Sequence, residues 1–120
     1  MNVNLRLSTL CRQTAATALA TAAMLCVTAA MAAEGEYALA IRDHRFQPAE
    51  LVIPAGKKIK LLVENRDATP EEFESHDLNR EKIIAGKSTA TIFIGPLTPG
   101  RYRFFGEFNQ KTAQGVIVAQ

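Results

Sequence analysis

The chain has 120 residues, 14 Lys and Arg against 12 Asp and Glu, and a formal net charge of +2. So even a balance gives no basic footprint for nucleic acid or for an anionic membrane surface. The two cysteines, Cys11 and Cys26, both lie in the first quarter of the chain, so its body is not a disulfide scaffold.

Arg6 and Arg12 make a positive start, and from Ala15 to Ala30 the sequence runs uncharged through Ala, Leu, Met, Val and Thr. Ala30-Met31-Ala32 is a small-x-small cleavage signature, followed by an abrupt polar turn at Glu34-Gly35-Glu36. This order predicts a secretory signal peptide over residues 1–32, cleaved on export to the periplasm. A spanning helix wants about 20 strongly apolar residues, and this stretch is shorter and rich in Ala and Thr. Lipid attachment at Cys26 is disfavoured by Leu25 before it. Residues 33–120 are then expected as one domain without Cys or Met. Arg6 and Arg12 leave with the leader, so its remaining 12 basic residues balance the 12 acidic ones.

The domain reads as strands divided by turn signals. Tyr37, Leu39 and Ile41 alternate with smaller or charged residues, Leu51 and Ile53 lead to Pro54-Ala55-Gly56, and Ile59, Leu61 and Val63 lead to Asn65. Ser88 to Ile94 is β-branched and apolar on both faces, which predicts a central strand ending at Gly95-Pro96. Pro99-Gly100 opens a strand with Tyr102 and Phe104 on one face, and Gly115 precedes a closing strand, Val116-Ile117-Val118. Short strands at this spacing predict an antiparallel, all-β Greek-key sandwich of about seven or eight strands.

Between Asn65 and Lys87 the rhythm breaks into a polar, acidic stretch expected as a connection of about 20 residues, which in a compact domain is usually functional or has structure of its own. It holds Glu71, Glu72, Glu74, Asp77 and Glu81, with His76 among them. In strand parity Glu72, Glu74 and His76 share one face, and Glu71, Phe73 and Ser75 the other. From the residues alone, a solvated acidic loop anchored by Phe73 competes with a ligand set. No Ser-His-Asp set, phosphate-cradling Gly loop or zinc spacing supports a hydrolase or a nucleotide enzyme.

Phe46-Gln47-Pro48-Ala49-Glu50-Leu51-Val52-Ile53-Pro54-Ala55-Gly56-Lys57, followed by a strand and Asn65, resembles the opening of a cupredoxin. Pro99-Gly100-Arg101-Tyr102-Arg103-Phe104 and Gly115-Val116-Ile117-Val118 resemble the strand pair that brackets the cupredoxin metal loop. Glu72-Phe73-Glu74-Ser75 with the run from Leu78 to Lys87 is similar to the cupredoxin domain of EfeO-type periplasmic iron-uptake proteins and to FtrB-type cupredoxins that accompany ferrous-iron permeases. The resemblance implies a periplasmic metal-binding protein of ferrous-iron uptake. Its implied partners are an inner-membrane iron permease and a companion periplasmic iron-binding protein.

The blue-copper ligands of that layout are replaced. Glu71 stands for the first His, Gly106 for the Cys, Asn109 for the second His and Ala113 for the Met. Copper of that kind needs thiolate and imidazole, so no type 1 blue copper site is expected. Carboxylates are hard ligands that suit iron, and they favour Fe(III) over Fe(II). The candidate ligands are Glu72, Glu74, Glu71 and Glu107, with His44 and His76 as imidazoles. The ion expected is iron or copper, with ferroxidase-like oxidation of Fe(II) if the protein is catalytic. A copper- or divalent-cation-binding protein without a redox role, and a metal-free cupredoxin-fold docking module, remain open beside this reading.

Overall fold

The structure, a computed structural model, describes residues 35–120. The signal peptide expected over residues 1–32 lies outside them.

Among the described residues, nine strands form two facing sheets. β1 (Glu36–Arg42), β2 (Arg45–Gln47), β4 (Ile59–Asn65) and β7 (Ser88–Ile94) make a four-stranded sheet in the order β2-β1-β4-β7. β3 (Glu50–Ile53), β5 (Glu71–Ser75), β6 (Arg80–Ile84), β8 (Gly100–Gly106) and β9 (Gln114–Ala119) make a five-stranded sheet in the order β3-β9-β8-β5-β6. A 3-10 turn, Glu107–Asn109, follows β8. The all-β sandwich expected from the turn spacing is therefore present.

Three details correct that expectation. The sandwich is not wholly antiparallel: β1 pairs with β4, and β3 with β9, in parallel. These pairings join strands distant in sequence, so no hairpin signal announces them. Ser88–Ile94 is an edge strand, hydrogen-bonded to β4 alone among the described strands. Its outward apolar residue is the exposed Phe93, covered by the Lys58 ammonium 5.0 Å from the ring centre. Lastly, the acidic stretch is no loop. It is the antiparallel hairpin β5–β6.

Alternation explains most of the core. Ile59, Leu61 and Val63 of β4 point inward with Leu39 and Ile41 of β1, and face Ile53, Phe73, Ile84, Phe104 and Ile117 of the other sheet. Fully burying such side chains is worth about 1.5–3 kcal/mol each. Phe46 meets Phe104 edge-on at 4.8 Å, and Phe104 stacks on Phe73 at 5.2 Å, tying β2, β5 and β8 together under one end of the sandwich.

The β1–β2 connection is a two-residue hairpin with Asp43 at φ 52° and His44 at φ 56°. Two left-handed residues suit the twist of a tight hairpin, although neither is glycine. Asp67 compensates, its carboxylate accepting from the backbone N–H groups of Asp43 at 2.8 Å and His44 at 3.0 Å. Those bonds, the His44 one first, hold the Asp67 carboxyl below the usual carboxylate range against the opposing effect of burial.

Candidate metal centre

The outer face of the five-stranded sheet carries the acidic side chains. Phe73 is buried, so Glu72 and Glu74 on either side of it project outward. β6 sets Glu81 directly across from Glu74, and Ile83 across from Glu72. One carboxylate oxygen from each of Glu72, Glu74 and Glu81 lies within 4.8 Å of the others. Glu72 and Glu74 are half-buried and Glu81 is exposed. The His76 Nδ1 is 3.3 Å from Glu74 Oε1, and its ring tilts over Phe105 at 5.4 Å.

The hairpin is held from both sides. Ser75 is buried, donates its hydroxyl to the Arg103 carbonyl at 2.6 Å and accepts the Leu78 N–H at 3.1 Å. Asp77 accepts the Arg103 backbone N–H at 2.8 Å. At the far corner Asn79 takes φ 51°, and Arg80 donates from Nε to the Phe93 carbonyl at 2.8 Å, bridging the two sheets. Buried Asn65 donates to the carbonyls of Thr69 and Ile84 and so fixes the entry to β5 and the exit from β6. The carboxylates thus sit on a braced strand pair rather than on a free loop.

Three acids this close repel one another. The Glu72 carboxyl is held above its ordinary range, first by desolvation and then by the charges of Glu81, Glu74, Glu107 and Glu71. A cation among them would relieve that repulsion and take several hard oxygen donors.

The four positions that hold copper in the blue-copper layout do converge, but on different chemistry. Glu71 is buried and faces inward, opposite to Glu72. Its Oε1 accepts the backbone N–H of Glu72 at 3.0 Å and of Phe108 at 2.9 Å, and its Oε2 accepts the Asn109 amide at 2.7 Å. The Gly106 N–H is bonded to the Ala113 carbonyl at 2.8 Å, and the Ala113 N–H to the Asn109 carbonyl at 2.9 Å. A Cβ on residue 106 would stand 2.6 Å from Glu71 Cδ and 2.7 Å from the Ala113 Cβ. The space is filled by a hydrogen-bonded carboxylate, with no thiolate or imidazole in reach among the described residues, and this lining does not fit type 1 copper.

Of the candidate ligands, Glu72 and Glu74 come together and His76 lies beside them. Glu107, exposed on the 3-10 turn, acts on Glu72 through its charge but stands outside the close group. Glu71 is engaged on the other face. His44 is in the β1–β2 turn, its Nδ1 3.6 Å from Asp67. The residue missing from the sequence-derived set is Glu81. Only the hairpin register places it opposite Glu74, and that register depends on the tight turn from His76 to Asn79.

Comparison with known proteins agrees with this architecture. The profile of the cupredoxin-like domain matches residues 15–119, and the chain belongs to that family. An uncharacterized protein of Rickettsia prowazekii (strain Madrid E) is 48% identical over 83 residues, which make up 69% of this chain and 66% of that protein, just under two thirds of its length. Among solved structures, auracyanin A, a "blue" copper protein of Chloroflexus aurantiacus, matches with a TM-score of 0.61 at 12% identity, over 71% of this chain and 98% of auracyanin. Amicyanin from Paracoccus versutus matches with a TM-score of 0.58 at 13% identity, over 72% of this chain and 83% of amicyanin. A chain of a heme-copper terminal oxidase dimer matches with a TM-score of 0.61 at 18% identity, over 73% of this chain and 66% of that one. At these identities the structural likeness is one of fold.

Proposed function

We propose that this protein is an exported, periplasmic cupredoxin-like carrier that binds iron through surface carboxylates and delivers it to a ferrous-iron permease, in the manner of the EfeO- and FtrB-type proteins it resembles. The observation that carries the reading is the approach of Glu72, Glu74 and Glu81 to within 4.8 Å on a braced hairpin. Hard oxygen donors without thiolate suit iron better than Cu(I), and their charge favours Fe(III) once Fe(II) is oxidised. The resident site of the family is closed by Glu71, so metal chemistry in this chain falls to the outer face.

A docking role has its own support. Ile83, across from Glu72, and Phe108, next to Glu107, are large apolar side chains left exposed at the margin of the acidic group. A carrier that hands over its ion needs such a surface, and a metal-free docking module would use the same one. Anaerobic titration of the purified protein with Fe(II), with Cu(II) and Mn(II) in parallel, separates the two. The carrier reading expects saturable iron binding that is weakened by Glu72→Gln, Glu74→Gln and Glu81→Gln. Absence of saturable binding of all three ions leaves the docking reading.

A further inference from the structure

On the same outer face, on the other side of Phe105, a cavity of about 700 Å³ opens over β8, β9 and the loop between them. Its polar lining is Arg101, Arg103, Gln110 and Gln114, and among the described residues no Asp or Glu lines it. In a domain whose charges balance, two guanidinium groups without a carboxylate between them make a local positive field. Arg101 reaches Glu50 with one nitrogen, Nη2, at 3.1 Å. The Arg103 guanidinium has no carboxylate within ion-pair distance and no side-chain hydrogen bond among the described residues, although its backbone is fixed by Ser75 and Asp77.

The amides are pre-positioned. Gln114 donates from Nε2 to the Gln110 carbonyl at 2.9 Å, and Gln110 donates from Nε2 to the Glu107 carbonyl at 3.4 Å. Each keeps one N–H to offer. The apolar part is built by Phe105 and Val116, with a floor at Gly115. That floor must be glycine: a Cβ on residue 115 would stand 2.2 Å from Cζ of Phe104. Phe104 therefore packs against the bare backbone.

We propose that this cavity binds a small organic polycarboxylate. Arg103 would take one carboxylate through two parallel N–H donors, the geometry for which a guanidinium fork is suited. Arg101 and the two amides would take a second, and the carbon skeleton would lie against Phe105 and Val116. A volume of this order is that of small-molecule sites and far exceeds what a bare phosphate fills. The site does not depend on the metal reading. The register sets Glu74, Phe105 and Gln114 side by side on β5, β8 and β9, so the acidic group and the cavity are neighbours divided by one aromatic ring.

The test is an NMR titration of the purified protein with citrate, with inorganic phosphate as a second arm, in buffer without added metal. Citrate should shift the backbone amides of Arg103, Gln110 and Gln114 and the Gln114 side-chain amide in a saturable way, and phosphate should bind more weakly. Arg103→Gln should weaken citrate at least about tenfold, the loss expected for a charge-assisted pair. Arg103→Lys, which keeps the charge but not the fork, should fall between. Arg66→Gln, a control at an arginine paired with Glu64, should leave citrate binding unchanged. No saturable shift, equal binding of phosphate and citrate, or an unchanged affinity in folded Arg103→Gln protein would overturn the proposal.

Discussion

The Glu71 carboxylate occupies the volume that a side chain at Gly106 would need, with its Cδ only 2.6 Å from where that Cβ would be. The two residues are complementary: the acid has its hydrogen bonds because residue 106 is bare. Gly106→Ala should therefore cost about 1–3 kcal/mol through overpacking. Glu71→Ala should cost about as much by leaving the Asn109 amide and the Phe108 N–H without their acceptor. In the double variant the losses should not add, since removing the acid makes room for the methyl. Urea denaturation of the four proteins measures this coupling.

The β1–β2 turn makes a separate prediction. His44→Gly should be neutral or stabilising, because glycine takes φ 56° without the strain a side chain meets there. Asp67→Ala should destabilise by about 1 kcal/mol through loss of two hydrogen bonds to the turn. Thermal melts check both. Neither change should alter metal affinity, since His44 and Asp67 lie outside the acidic group.

Acid pH should act on the protein in two opposite ways. The Asp67 carboxyl is depressed in the folded state, so its contribution to stability is present above its unfolded value of about 3.8 and is lost as pH falls through the lower folded one. The Glu72 carboxyl is raised, so its contribution is present below its unfolded value and is lost as pH rises through the folded one. Glu72→Gln should therefore stabilise the metal-free protein at neutral pH and leave it unchanged at strongly acid pH. Denaturation across the acid range, with and without this substitution, reads the difference. A proton would compete with a bound cation at Glu72, so affinity should begin to fall at a higher pH than it would for an unshifted glutamate.

The sandwich was legible because Ile59, Leu61 and Val63, and likewise Leu51 and Ile53, alternate cleanly between Gly- and Pro-marked turns. The β5–β6 hairpin was not, because Glu71 and Ser75 occupy inward positions where apolar residues would signal a strand. Their burial is made possible by hydrogen bonds with distant residues, which a local pattern does not contain: Phe108 and Asn109 donate to Glu71, and Ser75 donates to the Arg103 carbonyl. β7 misled in the opposite sense: its apolar outward Phe93 suggested a central strand, yet a lysine covers it at an edge. Glu72 and Glu74 could be paired by parity along one strand. Glu81 required the register of the next, and the Arg101–Arg103 cavity required the fold of β8 on β9.

Glu72, Glu74 and Glu81 are proposed to hold an iron ion together. Anaerobic calorimetric titration with Fe(II) of the wild type, Glu72→Gln, Glu74→Gln, Glu81→Gln and the control Asp43→Asn tests it directly, with circular dichroism to confirm that each is folded. One saturable site is expected in the wild type and the control, with an affinity at least about tenfold weaker in each of the three Gln variants, where one charge-assisted oxygen ligand is lost. Equal affinity in all five proteins, or a loss in Asp43→Asn as large as in the three, would contradict it.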